Sequence, residues 1–153
     1  QVTLAPGQTN WFPDHTAELK QPSLLWGQLW LADELARATV ACAVKEIRFV
    51  NAAAPQPRST GAGAFLDEVP LRAEFVGSMT SVAHLLRSLP LRPEELKAAG
   101  LPVSSPTKPV FFIERLLIRK HSTDLPDLVN VELRVRGLFY RDATNSTPVT
   151  PHS

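Results

Sequence analysis

Apolar residues recur every three or four positions over residues 23–44, which is the spacing of one face of a helix. They are Leu25, Leu29, Ala32, Ala36, Val40 and Ala43. Ser23 follows Pro22, and a serine at this place is a favourable N-cap. The pattern therefore predicts a first helix that is roughly 30 Å long.

Apolar and polar residues alternate in the next two segments, as they do in strands with one buried face. The first segment covers residues 46–50, and the second runs from Val69 to Gly77. We expect the apolar face of these strands to pack beneath the helices; its members are Ile47, Phe49, Leu71 and Phe75. Residues 51–64 between the strands are small and contain proline and glycine, so a long mobile loop is predicted there.

A second helix is predicted over residues 78–89, because four apolar residues share one face. They are Val82, Leu85, Leu86 and Leu89. Pro90 ends this helix, since proline lacks the backbone N–H that a helix interior requires. A short helical turn over residues 94–99 is expected before Gly100.

Two more strands are predicted over residues 110–120 and 128–141. The alternation in the first of them slips near Glu114, which indicates a β-bulge. In the second, apolar residues occupy alternate positions, and we expect Leu133 and Val135 to join the core.

The element order is therefore α-β-β-α-β-β, and its two halves resemble each other in detail. The segments LRAEFVG (71–77) and VELRVRG (131–137) have their apolar positions in the same phase when Gly77 is aligned with Gly137. This order predicts an α+β, ferredoxin-like fold in which two αββ repeats form a four-stranded antiparallel sheet with two helices on one face.

The domain boundaries follow from these elements. Residues 23–141 are predicted to form a single domain, with 23–77 as the first αββ unit and 78–141 as the second. Residues 1–22 are expected to be an irregular lead-in, and the polar, proline-containing residues 142–153 a disordered tail.

Length and charge narrow the function classes. A chain of 153 residues is the usual size of one domain with a real core. Its net charge is +1, from 16 basic and 15 acidic residues, so there is no strong field for nucleic acid or an anionic membrane. Cys42 is the only cysteine, which excludes an intrachain disulfide and a multi-cysteine metal site.

The sequence offers no recognisable chemistry. None of the four histidines has a partner at i+3 or i+4 that would make a helical metal pair. His121 lies beside Ser122 and Asp124, but sequence neighbours in a loop seldom reach triad geometry. Cys42 is surrounded by small apolar residues, which favours an inert, buried thiol. The glycines of residues 61–63 lack the lysine of a phosphate loop. We therefore expect no catalytic, cofactor-binding or metal-binding residues.

RNA-recognition domains share this architecture and stack bases on aromatic residues of the open sheet face. The open face predicted for this chain carries mixed charges instead: Glu46, Arg48, Arg72, Glu74, Glu132, Arg134 and Arg136. Cross-strand ion pairs explain these charges better than a platform for bases, so no nucleic-acid partner is expected.

The residues also resemble a known family. A strand that ends in Phe75-Val76-Gly77-Ser78, the helix SMTSVAHLLRSL (78–89) and the closing strand VRGLFYRD (135–142) are similar to the periplasmic ferredoxin-like domain of PilO-class type IV pilus assembly proteins, and to GspM-class type II secretion proteins. The similarity covers roughly residues 24–141. This chain departs from the family at Met79, where an aromatic residue is common, and at Pro90, where the helix usually continues.

The resemblance implies a non-enzymatic scaffold without a cofactor, located in the periplasm. In such a protein the full-length chain is anchored to the inner membrane by an N-terminal helix, which would have been removed here. The partners implied are a second copy of the chain, giving a homodimer, or related pilus or secretion subunits. The alternative is a small ligand-binding or enzymatic ferredoxin-like domain whose site cannot be recognised from sequence.

The first helix also suggests where a partner binds. Its apolar residues occupy more of the circumference than a helix packed on one sheet requires. Trp26 and Trp30 lie on the side shared with Asp33 and Arg37. Either the lead-in folds back over them, or they contact a second subunit, because tryptophan is enriched at interface hot spots. The predicted interface residues are Trp26, Trp30, Leu24 and Leu31.

Overall fold

A computed structural model describes residues 22–53, 56–57 and 66–140 of the chain. Its elements, in chain order, are α1 (Pro22–Ala41), β1 (Glu46–Ala52), β2 (Gln56–Pro57), β3 (Leu66–Ser78), α2 (Met79–Ser88), α3 (Pro93–Ala98), β4 (Phe111–Lys120) and β5 (Leu128–Tyr140). The predicted order α-β-β-α-β-β is confirmed, and α3 corresponds to the helical turn predicted over residues 94–99. Only the two-residue β2 is added to the prediction.

The four long strands form one antiparallel sheet in the order β1-β3-β5-β4, and the two-residue β2 also pairs with β3. The central strands β3 and β5 pair along their whole length, from Leu66 opposite Tyr140 to Ser78 opposite Leu128. The helices pack on one face of this sheet, and the predicted ferredoxin-like, α+β class is confirmed.

The core lies between that face and the helices. Most of the core residues predicted from alternation are confirmed: Ile47, Leu71, Phe75, Leu133 and Val135 are at most 5% exposed. Gly137 gives α1 a close approach to β5, because a side chain there would meet Leu31 of α1 at 2.6 Å. Gly27 in turn lies directly against the ring of Phe139, so the helical glycine is explained by close packing.

The prediction for Phe49 is wrong, because a β-bulge shifts the alternation of β1. The register jumps between Ile47 and Phe49, so that Phe49 lies opposite Glu74 and Val50 opposite Ala73. Val50 is therefore the buried residue, at 4% exposure. Phe49 lies on the open face instead, where the Arg72 guanidinium is 5.4 Å from its ring centroid.

The two halves share this bulge. In β4 the register jumps between Ile113, which lies opposite Val135, and Arg115, as predicted near Glu114. In β1 the jump follows Ile47, which lies opposite Phe75. Phe75 and Val135 occupy equivalent places when Gly77 is aligned with Gly137, so the bulge recurs at the same point of each repeat.

Several predicted boundaries need correction. Ser23 lies inside α1, which begins at Pro22, so it is not the N-cap. The predicted loop 51–64 includes the end of β1 and the strand β2. β3 begins at Leu66, three residues earlier than predicted. The predicted tail and almost all of the predicted lead-in lie outside the described residues.

The second helix is short, and its two ends have clear causes. Ser78 caps its start, since the Ser78 hydroxyl accepts a hydrogen bond from the Ser81 backbone N–H at 3.1 Å. It ends at Ser88, two residues before Pro90, and α3 follows it. Gly100 then turns the chain with φ of +66°, a conformation that favours glycine.

Candidate protein-interaction surfaces

The outward side of α1 exposes two tryptophans. Trp26 is 69% exposed and Trp30 is 37% exposed, and further along the helix Val40 is 50% exposed. Because they are separated by four and ten positions, they share one side of the helix with Asp33 and Arg37. We call these five residues the α1 stripe. The expectation that both tryptophans lie at least partly outside the core is confirmed.

The ion pair within the α1 stripe follows helical spacing. The Arg37 Nε atom donates to Asp33 Oδ2 at 2.6 Å, and this bond raises the pKa of Arg37. Both side chains are more than half exposed, so water and salt screen the pair and it adds little stability. The stripe is therefore an apolar surface with one charged interruption.

The other two predicted interface residues behave differently. Leu31 is fully buried on the side of α1 that faces the sheet, where its side chain lies against Gly137. It therefore belongs to the core and not to a surface. Leu24 has its backbone in α1, but its side chain lies outside the described part of the structure. Trp11 and Phe12 are the aromatic residues of the lead-in, which in the alternative arrangement folds back over the tryptophans, and they also lie outside the described residues.

A second apolar surface lies on β4, and sequence reasoning missed it. Ile113, Leu116 and Ile118 are on the helix side of the sheet, opposite the buried residues Val135, Leu133 and Val131. They are nevertheless 42%, 39% and 36% exposed. We call these three residues the β4 row. The alternation of apolar and polar residues in β4 predicts a strand with an apolar face. It does not predict that this face is left uncovered by the helices.

Ion pairs link neighbouring strands across the open face of the sheet, as predicted from the charges. Arg72 binds Glu132 at 2.9 Å, and Arg48 binds Glu74 at 2.9 Å. Arg136 bridges two strands, since it binds Glu114 of β4 and Glu68 of β3. Its pKa is raised, first by the hydrogen bond to Glu114.

The open-face charges are not evenly paired. Within the described part of the chain, Arg115, Arg119 and Arg134 make no ion pair closer than 4.0 Å. Arg115 lies directly opposite Arg134 in the β4–β5 register. Together with Leu117 they surround a shallow depression near Glu132. This end of the open face is therefore positively charged.

A buried lysine holds the chain segment that leads into β4. Lys108 is 4% exposed, and its Nζ donates to the carbonyl oxygens of Leu89, Leu91 and Pro109 at 2.9–3.0 Å. Three acceptors match the three donors of an ammonium group. Burial lowers the pKa of Lys108 to about 8, and the nearby Glu34 partly opposes that shift.

The thiol considered from sequence is part of the same buried region. Cys42 is 3% exposed, with its Sγ 3.9 Å from Ser88 Oγ, and burial raises the pKa of the thiol. The nearby Lys108 acts against this shift. A buried thiol with a raised pKa is a poor nucleophile.

The histidine trio does not form a catalytic arrangement. His121 Nδ1 lies 2.9 Å from Asn130 Oδ1 on the neighbouring strand, while Ser122 Oγ accepts from the backbone N–H of Asp124. In residues 22–53, 56–57 and 66–140, no cluster of His, Cys, Asp and Glu suits a metal ion. In those same ranges no helix is long and apolar enough to cross a membrane.

Comparison with known proteins adds the fold relationship. No protein-family model and no curated protein matches the chain. Among solved structures, the type 4 fimbrial biogenesis protein PilO from Pseudomonas aeruginosa superimposes with a TM-score of 0.52 at 13% identity, over 82% of this chain and 77% of that one. The chain folds like PilO. The resemblance noted in the sequence is thus confirmed at the level of the fold.

A structure from Akkermansia muciniphila, determined without its transmembrane region, is similar as well. Its TM-score is 0.51 at 17% identity, over 77% of this chain. The present chain spans only 57% of that structure's length. At these identities both likenesses concern the fold, which the chain shares with PilO.

Proposed function

We propose that this domain is a non-enzymatic protein-interaction module of a type IV pilus or type II secretion assembly complex. It associates with a second copy of itself or with related subunits. The full-length protein is anchored to the inner membrane and places this domain in the periplasm. The PilO-like fold supports the pilus-related role.

The α1 stripe is the observation that carries the proposal. Exposing a tryptophan that is 69% accessible is unfavourable in water, while the same side chain is among those that dominate binding at interfaces. Trp30 lies one turn further along, and Val40 extends the apolar surface toward the end of α1. A helix presenting this surface from a folded domain suits a partner that packs alongside it.

The proposal is tested by changing Trp26→Ser and Trp30→Ser together and measuring self-association by analytical ultracentrifugation. The expected result is weaker self-association, or weaker binding to a co-purified partner subunit, at a nearly unchanged melting temperature. Replacing two other exposed apolar residues, Met79→Ser and Leu125→Ser, provides the matched control, because they are 51% and 46% exposed and are not part of α1.

Two outcomes would contradict the proposal. Unfolding of the tryptophan variant would mean that these residues stabilise the domain itself. Saturable heat in calorimetry with zinc, magnesium-ATP or a short RNA would instead favour the alternative of a ligand-binding or enzymatic domain.

A further inference from the structure

The outer edge of β4 is open to pairing with another strand. β4 is the last strand of the sheet, bound on one side to β5, and no described strand lies on its other side. From Phe112 to Lys120, every residue except the half-buried Leu117 is exposed. An exposed edge presents free backbone N–H and C=O groups, which extended segments of other proteins use for strand addition.

The helix-side face of this edge favours pairing. Natural edges are commonly protected by an inward-pointing charge. On the helix side of β4 that charge is Lys120, which lies at the end of the strand opposite Val129, while the apolar β4 row occupies this face between residues 113 and 118. The bulge at Glu114 recurs in β1, the other edge strand, so it belongs to the repeat and does not distinguish the two edges. The row therefore provides an apolar surface for every second residue of an added strand.

The opposite face of the edge sets the charge of the added strand. Arg115 and Arg119 point to the open face, and Arg134 adds a third positive charge opposite Arg115. Glu132, on which Arg115 and Arg119 act electrostatically, is already bonded to Arg72 at 2.9 Å. Like charges placed directly opposite each other destabilise a sheet. An acidic side chain from outside would relieve the opposition between Arg115 and Arg134.

A second copy of β4 does not meet this requirement. Antiparallel pairing of two β4 strands about Leu117 would place Arg115 of one copy opposite Arg119 of the other. By symmetry this pairing adds two like-charge pairs to a face that is already positive. Because this register is unfavourable, the charges favour a different chain as the occupant.

We infer that β4 accepts, as an added strand, an extended segment of another subunit in which apolar and acidic residues alternate. The apolar residues cover the β4 row, and the acidic residues contact Arg115, Arg119 and Arg134. The inference rests on the proposed interaction function and adds to it a second surface and the chemistry of its partner.

The probe for this inference is a labelled synthetic peptide of about eight alternating valine and glutamate residues, comparable in length to the open part of β4. Its binding is followed by fluorescence anisotropy, and its position by NMR shifts of backbone amides. Saturable binding is expected, with the shifts concentrated over residues 112–120 and with affinity that falls as salt rises. A peptide with lysine in place of glutamate should bind at least about tenfold more weakly.

Variants of β4 make the test specific. Changing Arg115→Glu and Arg119→Glu together should reverse the preference, so that the lysine peptide binds more tightly than the glutamate peptide. Leu116→Lys should weaken binding of the glutamate peptide at least about tenfold, because it places a charge in the apolar row. Thermal denaturation followed by circular dichroism verifies that each variant remains folded. We expect folding to be retained because the three side chains are exposed.

The Trp26→Ser and Trp30→Ser variant separates this inference from the proposed function. It should lose self-association while still binding the peptide. Loss of self-association in Leu116→Lys, with the tryptophan variant unaffected, would show that a second copy occupies β4 and would overturn the inference. Peptide shifts that map to α1, or a charge reversal without effect on peptide preference, would also overturn it.

Discussion

The two edge strands of the sheet have the same bulge at the same point of the repeat, but only one of them is covered. On β1, Ile47 and Val50 face the helices and are 5% and 4% exposed. On β4, Ile113 and Leu116 occupy the equivalent positions and are 42% and 39% exposed. Equivalent apolar residues therefore serve the core in one half and form a surface in the other.

The length of the helices accounts for the difference. α1 has 20 residues and packs along β1, while α2 has only 10 residues. At 1.5 Å per residue these helices are about 30 Å and about 15 Å long. Pro90 and Pro93 prevent α2 from continuing. The two halves of the sheet are built alike, whereas the difference in helix length leaves the helix-side residues of β4 uncovered.

The largest expected effect is at the central strand β3, which lies between the two edges. Phe75→Ala should lower the free energy of unfolding by about 3–5 kcal/mol, because a fully enclosed ring leaves a cavity. Phe75 is 1% exposed. Chemical denaturation followed by circular dichroism measures the change.

Phe112→Ala is the matched control for this experiment, since the same ring is 51% exposed on β4. It should cost less than about 1 kcal/mol. Equal losses in the two variants would mean that the Phe112 ring is enclosed in solution, and the open face of β4 would then not be exposed there.

A direct comparison of the edges uses one substitution at equivalent positions. Ile47→Ala should cost about 2–5 kcal/mol because its site is enclosed by α1 and the sheet. Ile113→Ala should cost about 1 kcal/mol or less, since water already reaches that side chain. The difference between the two denaturation midpoints measures the contrast. A larger loss for Ile113 than for Ile47 would reverse our assignment of the open edge.

The order and class of the elements could be predicted because alternation and helical spacing are local patterns. The burial of Val50 in place of Phe49 could not be predicted. Both residues are apolar, so the extra residue of the bulge does not interrupt the apolar pattern of Ile47-Arg48-Phe49-Val50. The bulge near Glu114 was visible because it interrupts a longer alternation.

The candidate surfaces show the same division. The exposure of Trp26 and Trp30 was predictable, because the first helix has more apolar residues than one buried face can hold. Leu31 was predicted to lie on the exposed side of this helix, but it is buried in the core. The β4 row was not predictable, because strand order and helix coverage depend on contacts distant in sequence. The burial of Lys108 in a proline-bounded loop had no local signal either.

A smaller effect is expected at Lys108, in the segment that leads into β4. Lys108→Met would leave the carbonyl oxygens of Leu91 and Pro109 without their Lys108 donor, and should cost about 1–3 kcal/mol at neutral pH. Thermal denaturation of both proteins measures this cost. An unchanged stability would mean that the lysine contacts do not hold the connection to β4.

The pH dependence of stability, compared between the native protein and Lys108→Met, tests the state of the lysine in a second way. The pKa of Lys108 is about 8 in the folded protein against an ordinary value of 10.5, so the unfolded chain binds more protons between these values. Stability contributed by this group therefore rises with pH from about 8 to about 10.5. The stability difference between the native protein and Lys108→Met should widen over that window. A constant difference would indicate an unshifted lysine.

The smallest expected effects concern the turns that follow the helices, where the two halves use different residues for a similar backbone. Ala43, between α1 and β1, has φ of 55°, while Gly100, after α3, has φ of 66°. A Cβ atom disfavours this region, so Ala43→Gly should raise stability by about 0.5–1 kcal/mol after its entropic cost. A side chain at Gly100 would meet no atom within 4 Å, so Gly100→Ala should lower stability by about 1 kcal/mol through backbone strain alone. Opposite shifts in melting temperature are expected for these two variants. Destabilisation by Ala43→Gly would show that the Cβ of Ala43 contributes more through packing than it costs in strain, and that the two turns are not comparable.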